Sequence, residues 1–290
     1  MTKIQSYLLL SMIFLLPDLT SAQKSRSEFE YLSSNDGLIQ NHVFSINQDE
    51  YGFMWFCTQG GLSKYDGFTF TNFIHLEDDS TTISNSFADR FLIDKKGNYW
   101  VTTYRGFNKL NRKKGTFKRY IHDDNDVYSL CNNQTKGMVE DKDGHIWIIH
   151  SKGVDEFDPV TEKFTHYLHK DFGVARYTGD ISIAPDGNIW ALGLNGLYKV
   201  MRNEKILKSY GEPFFKSSSS LEGKAIYCEE DGIIWLGYNN GLATFNPKTE
   251  KFTPLKVEGQ DRHITAIMKY SMGTLALGTM SDGLLIYSPL

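Results

Sequence analysis

Cysteine is scarce in this chain, and the three present, Cys57, Cys131 and Cys228, are odd in number and irregularly placed. They imply buried or idle thiols, not a disulfide scaffold. Basic runs are as scarce: the formal net charge is −4, and the cluster Arg112-Lys113-Lys114 has the setting of a solvated hairpin tip. Nothing basic is long enough to track a nucleic-acid backbone, so no nucleic acid is expected as a partner. Beyond the N-terminus there is no long apolar stretch to serve as a membrane helix. Nucleophile elbow, P-loop and dinucleotide fingerprint are all missing.

The N-terminus is a separate case. Lys3, an apolar run from Tyr7 to Pro17 and the small residues Thr20, Ser21 and Ala22 form the pattern of a secretory signal peptide over residues 1–22. Residues 23–290 are then the exported domain.

What is abundant is a periodic phrase. All five tryptophans, Trp55, Trp100, Trp147, Trp190 and Trp235, stand three residues after one Gly and six before another, at intervals of 45, 47, 43 and 45 residues. A period of that size fits one four-stranded blade per repeat. The first copy runs strand, Asp49 to Gly52 turn, strand with Trp55, Gly60-Gly61 turn, strand, Asp66-Gly67 turn, and an aromatic fourth strand. The glycines supply hairpin turns, and the indoles fill wedges between neighbouring sheets.

A sixth copy has Ala276 in the tryptophan position and no fourth strand before Leu290. Fourth strands carry paired bulky residues, such as Phe70 and Phe73, and Phe29-Glu30-Tyr31-Leu32 repeats the pattern ahead of the first copy. The expected fold is therefore all-β, a β-propeller of four-stranded antiparallel blades with six repeats. It is either a closed six-bladed ring latched by that N-terminal strand or a truncated seven-bladed one.

Chemistry is harder to place. His75, His122 and His169 fall at one repeat position and should be spread around the rim, so no metal site is expected from them. The Asp-Lys-Asp-Gly at 141–144 recurs as a turn module and lacks a downstream calcium glutamate. No residue is assigned a catalytic role, and no metal or cofactor is implied. A carboxylate pair drawn from different blades stays open, with no basis for choosing one. The first strands, nearest the axis, read as mostly Val, Ile, Ala and Met.

Ligand candidates come from the loop face that gathers the second-to-third-strand turns and the blade-to-blade segments 76–86, 123–134, 171–179 and 212–223. There the framework leaves Tyr104, Arg105, His150, Lys152, Asn195, Tyr238 and Asn239 unconstrained. Aromatic platforms mixed with hydrogen-bonding groups suit an oligosaccharide or other small polar ligand.

The run Ser34-Asn35-Asp36-Gly37-Leu38, then Asn41 to Ile46, Asp49 to Trp55, Gly60-Gly61-Leu62 and Tyr65-Asp66-Gly67, resembles the two-component regulator propeller repeat. The likeness extends over residues 28–290. It implies the periplasmic sensor region of a hybrid histidine kinase that responds to polysaccharides, with a homodimer as an open option. Full members of that family resemble two seven-bladed propellers followed by a β-sandwich, a membrane helix, a kinase and often a receiver. None of these later modules is read here, so the expectation is a sensor fragment, not itself an enzyme, that would meet the membrane only through the missing domains. Two alternatives remain at this point: a propeller lyase or other carbohydrate-active enzyme, and a protein-interaction scaffold.

Overall fold

The computed structural model describes residues 30–174, 179–210, 223–239, 241–257 and 263–289. The signal-peptide segment 1–22 lies outside them, as do residues 175–178 and 211–222 of two blade-to-blade segments.

Among the described residues six antiparallel meanders follow one another along the chain. Blade 1 comprises β1 (Val43–Gln48), β2 (Met54–Thr58), β3 (Gly61–Tyr65) and β4 (Phe70–Phe73). Blade 2 comprises β5 (Ala88–Ile93), β6 (Tyr99–Thr103), β7 (Gly106–Asn111) and β8 (Thr116–Tyr120). Blade 3 is β9 (Thr135–Glu140), β10 (Ile146–His150), β11 (Gly153–Asp158) and β12 (Lys163–Leu168). Blade 4 is β13 (Asp180–Ile183), β14 (Ile189–Gly193), β15 (Gly196–Met201) and β16 (Ile206–Tyr210). Blade 5 is β17 (Gly223–Cys228), β18 (Ile234–Tyr238), β19 (Gly241–Asn246) and β20 (Lys251–Leu255). Blade 6 has β21 (Ile264–Ser271), β22 (Thr274–Thr279) and β23 (Leu284–Tyr287).

Each blade is a meander, and first strands pack on first strands in the order β1, β5, β9, β13, β17, β21. The strands nearest the axis are thus the first of each blade. Blades 3 and 4 also join into one eight-stranded sheet through a single parallel pair, Leu168 with Ile206, on their outer strands. The N-terminal latch is not seen in strand form: Glu30, Tyr31 and Leu32 carry no strand, and Phe29 lies outside the described residues. The sixth sheet has three strands among the described residues.

The tryptophans are buried wedges, between 0% and 5% exposed. Trp55 stacks on Phe91 of blade 2 at 4.9 Å, Trp100 meets Phe157 of blade 3 edge-on at 5.4 Å, and Trp190 meets Phe245 of blade 5 at 5.6 Å. Each indole therefore carries one blade's core into the next. In blade 6 the corresponding row is Met268, Ala276 and Ile286, and its two outer members stay exposed.

The turn before each tryptophan does more than reverse the chain. Asp49 Oδ1 accepts from the N–H groups of Tyr51 and Phe53, both at 3.0 Å, while Oδ2 accepts from Trp55 Nε1 at 2.9 Å. Asp94 and Asp141 repeat the arrangement on Trp100 and Trp147, and Glu229 accepts from Trp235. One carboxylate thus ties turn to wedge. Burial pushes the Asp49 carboxyl up, yet the indole, phenol and backbone donors together hold it below the usual range.

Candidate functional site

The first strands place an unexpected charge network at the axis. Pairing aligns Ile46, Phe91, Met138, Ile181, Ile226 and Ile267 across the six blades. The residues just before them are Ser45, Arg90, Gly137, Asp180, Ala225 and Ala266. Arg90 of blade 2 donates from Nη2 to Asp180 Oδ1 of blade 4 at 2.8 Å, spanning blade 3. Gly137 of blade 3 permits this, since a Cβ there would lie 3.1 Å from the same Asp180 oxygen. One position earlier, Lys136 Nζ donates to Asp89 Oδ1 at 2.9 Å, and both side chains are almost fully buried.

Adjacent residues both reach the axis because the strands are bulged. Register shifts fall at Asp89 in blade 2 and at the equivalent places in blades 1, 5 and 6, with a similar irregularity around Lys136 in blade 3. A bulge sets two residues against one and re-aims a side chain. The expectation of an apolar axis is corrected accordingly: among the described residues, Asp89, Arg90, Lys136 and Asp180 bring charge there.

Asp89, Arg90 and Lys136 line a cavity of about 760 Å³. Its wall includes Gln40, Asn41, His42 and Phe44 from blade 1, Asp89, Arg90 and Lys136, Gly179, and Thr265, Ala266, Thr279 and Met280 from blade 6. Phe44 packs on Phe87 at 4.7 Å between centroids, and Lys136 Nζ lies 5.9 Å and 5.4 Å from the two rings. Burial holds the Asp180 carboxyl above the ordinary carboxylate range against the opposing pull of Arg90. Burial, with the Asp89 charge adding to it, also pushes the nearby Cys57 thiol well up, leaving a poor nucleophile. The cavity offers hydrogen-bond donors, acceptors and an aromatic face. Its acids are each tied to a cation, which suits binding better than proton transfer.

None of the seven loop-face candidates lines this cavity. Arg105, Lys152 and Asn195 are exposed, and Asn195 donates to the Asp171 carbonyl at 2.8 Å. Tyr104 is 39% exposed, its hydroxyl accepts from Gln134 Nε2, and its ring packs on Phe87. Asn239 is half-buried. His150 and Tyr238 are buried, contrary to their expected place on a ligand-facing loop. Both are the last residue of a second strand, paired with Gly153 and Gly241, where blades 1 and 2 have the buried Thr58 and Thr103. The position belongs to the framework.

His150 shows what that position does. Its Nε2 donates to Asp155 Oδ1 at 3.0 Å, and its Nδ1 accepts from the Lys152 N–H at 3.2 Å. Asp155 also takes the Cys131 N–H at 2.8 Å, as Asn108 in blade 2 takes the Ser84 N–H at 2.9 Å. A third-strand side chain therefore anchors the incoming loop. Rim histidines serve the same end: His75 and His122 each place Nδ1 2.8 Å from a loop carbonyl, of Ile83 and Leu130. Among the described residues two groups have ligand atoms close enough for a metal, Cys131 with Asp155 and His166, and Asp141 with His145 and Glu156. In each the central carboxylate is already engaged by several protein donors.

Residues 37–60 match the family model described as "Two component regulator propeller". A histidine kinase, P4, of Formosa agariphila is 43% identical over 63 residues, which is 22% of this chain and 5% of that protein. Among solved structures, the extracellular domain of the hybrid two-component system BT3049 from B. thetaiotaomicron is 27% identical, with a TM-score of 0.75. That likeness covers 89% of this chain and 35% of the other, so the chain spans about a third of that domain's length. Virginiamycin B lyase from Staphylococcus aureus shares the fold at 14% identity and a TM-score of 0.62, covering 86% of this chain and 84% of the lyase. No helix among the described residues is long and apolar enough to cross a membrane. The resemblance is thus carried in sequence over residues 37–60 and in fold over most of the chain: this β-propeller is similar to the extracellular domain of a hybrid two-component system.

Proposed function

We propose that this propeller is the ligand-sensing part of a hybrid two-component system, exported to the periplasm, and that it recognises an oligosaccharide. The observation that carries this is the match over 89% of the chain to the extracellular domain of such a system. Further support comes from the site chemistry: a concave wall of amides, hydroxyls, charged donors and acceptors and an aromatic ring suits a polyhydroxylated ligand. Transmission of the bound state would fall to kinase and DNA-binding modules elsewhere in such a system, with a homodimer as the arrangement that couples two sensors. Calorimetric titration of the folded protein with a panel of plant and host oligosaccharides tests the proposal. Saturable heat with one class is expected, and no heat with any sugar contradicts it.

A further inference from the structure

The outer groove between neighbouring blades is closed in the same way at two junctions. Glu162, in the turn between the third and fourth strands of blade 3, accepts from Tyr120 Oη of blade 2 at 2.9 Å and also pairs with Lys118. Glu250, at the equivalent place in blade 5, accepts from Lys208 Nζ of blade 4 at 3.2 Å. Both glutamates stand in the left-handed region, at φ 57° and 53°. Each brings an acid to donors on the fourth strand of the blade before it.

Blade 2 breaks this pattern. Its turn reads Arg112-Lys113-Lys114-Gly115, where blades 3, 4 and 5 each include an acid, Glu162, Glu204 and Glu250. Gly115, at φ 67°, takes the glutamate position, and the residues opposite it in blade 1 are Thr71 and Phe73 in place of Lys118 and Tyr120. With no acid to fill it, the groove between blades 1 and 2 is a cavity of about 460 Å³, within the roughly 300–1,000 Å³ of small-molecule sites.

The walls of this groove are aromatic and basic at once. Tyr51, Phe53 and Phe73 supply ring surface, and Lys64, Arg112 and Lys113 supply charge. Arg112 is fixed between the Tyr51 and Tyr99 rings, 4.5 Å and 4.4 Å away, and donates from Nη1 to Glu50 at 3.0 Å. Lys64 Nζ lies 4.5 Å from the Phe53 centroid, and neither Lys64 nor Lys113 has an ion pair among the described residues. Asp49, the carboxylate in the wall, is already engaged by Tyr51, Phe53, Trp55 and Tyr99. An anion entering here therefore meets two ammonium groups that no protein acid neutralises.

The walls also narrow the kind of anion. A phosphate or sulfate needs donors on several sides, and what lies beside the lysines is ring surface and the Leu110 side chain. A planar ring bearing one carboxylate meets both conditions: its face packs on the phenylalanines while its acid reaches the ammonium groups.

We infer that the groove between blades 1 and 2 is a binding site for a small aromatic carboxylate, held by Lys64 and Lys113 against the Phe53 and Phe73 rings. It shares no lining residue with the central cavity, and it does not depend on the sensor proposal. Calorimetric titration of the full chain with benzoate, 4-hydroxybenzoate, phenylacetate and 4-coumarate tests it, with benzyl alcohol as the uncharged ring and acetate as the ringless acid. The expected result is saturable binding of an aromatic acid, at least about 10-fold tighter than either comparator. Lys64→Gln combined with Lys113→Gln should weaken it about 10- to 100-fold. Gly115→Glu should do the same by returning the acid that closes the other grooves. Glutamate already holds that backbone conformation at Glu162 and Glu250, and a Cβ at Gly115 would make an ordinary 3.7 Å contact with Phe73. Wild-type melting temperatures show that the variants fold, and should Gly115→Glu not fold, the lysine pair decides. No binding of any aromatic acid overturns the inference, as does equal binding of benzyl alcohol or acetate. Binding that survives the two lysine substitutions overturns it too.

Discussion

His166 Nδ1 lies 2.7 Å from Asp155 Oδ1, while its Nε2 lies 3.1 Å from the Val127 carbonyl oxygen. Both partners are acceptors, so both ring nitrogens must carry protons and His166 is an imidazolium. The cation ties the loop before blade 3 to a carboxylate buried inside that blade. Its neighbour His150 shares the same carboxylate oxygen through Nε2, while its Nδ1 faces the Lys152 backbone N–H.

A pH dependence follows with a definite sign. The hydrogen bond to Asp155, assisted by its charge and opposed by burial, raises His166 above the ordinary value of 6.5. A raised folded-state value means stability fully present below about pH 6.5 and lost as pH climbs through the folded value. At pH 6, His166→Leu should cost about 1.5–3 kcal/mol, the range for a hydrogen bond to a charged group. By pH 9 the gap from wild type should narrow. Urea unfolding at the two pH values measures this, and a gap independent of pH would refute the imidazolium.

The axial pair Lys136 and Asp89 makes a different prediction. Lys136→Met leaves a carboxylate buried without its cation and should cost about 3–5 kcal/mol. Lys136→Met combined with Asp89→Leu should recover most of that, because two apolar groups need no compensation. Denaturant midpoints of the single and double variants decide it, and additive losses would show that the pair does not act as a unit.

The turn carboxylates can be tested apart from the wedges they hold. Asp94→Ala leaves the Trp100 indole N–H and the Lys96 and Asn98 amides without their acceptor, for an expected loss of about 1–3 kcal/mol. Trp147→Ala removes a fully buried side chain and should cost about 3–5 kcal/mol. Near-equal losses would mean that the indole hydrogen bond, not the packed ring, carries the wedge.

Much of the fold was legible because it repeats. Five tryptophans at one phase, with glycines at fixed offsets, set the blades, and the fourth-strand pairs from Phe70 and Phe73 to Phe252 and Leu255 all fall on strands β4, β8, β12, β16 and β20. The sixth copy was readable through Ala276 because Gly273 keeps the three-residue spacing before it. The motif at Phe29 to Leu32 shows the limit: bulky spacing alone does not form a strand at Glu30 to Leu32.

The axial site was hidden for a physical reason. Arg90, Asp180 and Asp89 each occur once in their columns and Lys136 recurs only as Lys224, so no periodicity draws attention to them. Simple alternation also sends Asp89 and Arg90 to opposite faces, and only the bulge brings both to one cavity. The placement of His150 and Tyr238 on a loop is off by a one-residue boundary: both close a strand instead of opening a loop.

The most direct test is a crystal of this protein soaked with the oligosaccharide that titrates best. Difference density for a sugar ring between Arg90 and Thr279, with hydroxyls within hydrogen-bond distance of the Arg90 guanidinium and the Asp89 carboxylate, is the predicted result. Density on the outer loop rim at Arg105 or Lys152, with the cavity filled only by water, would contradict it.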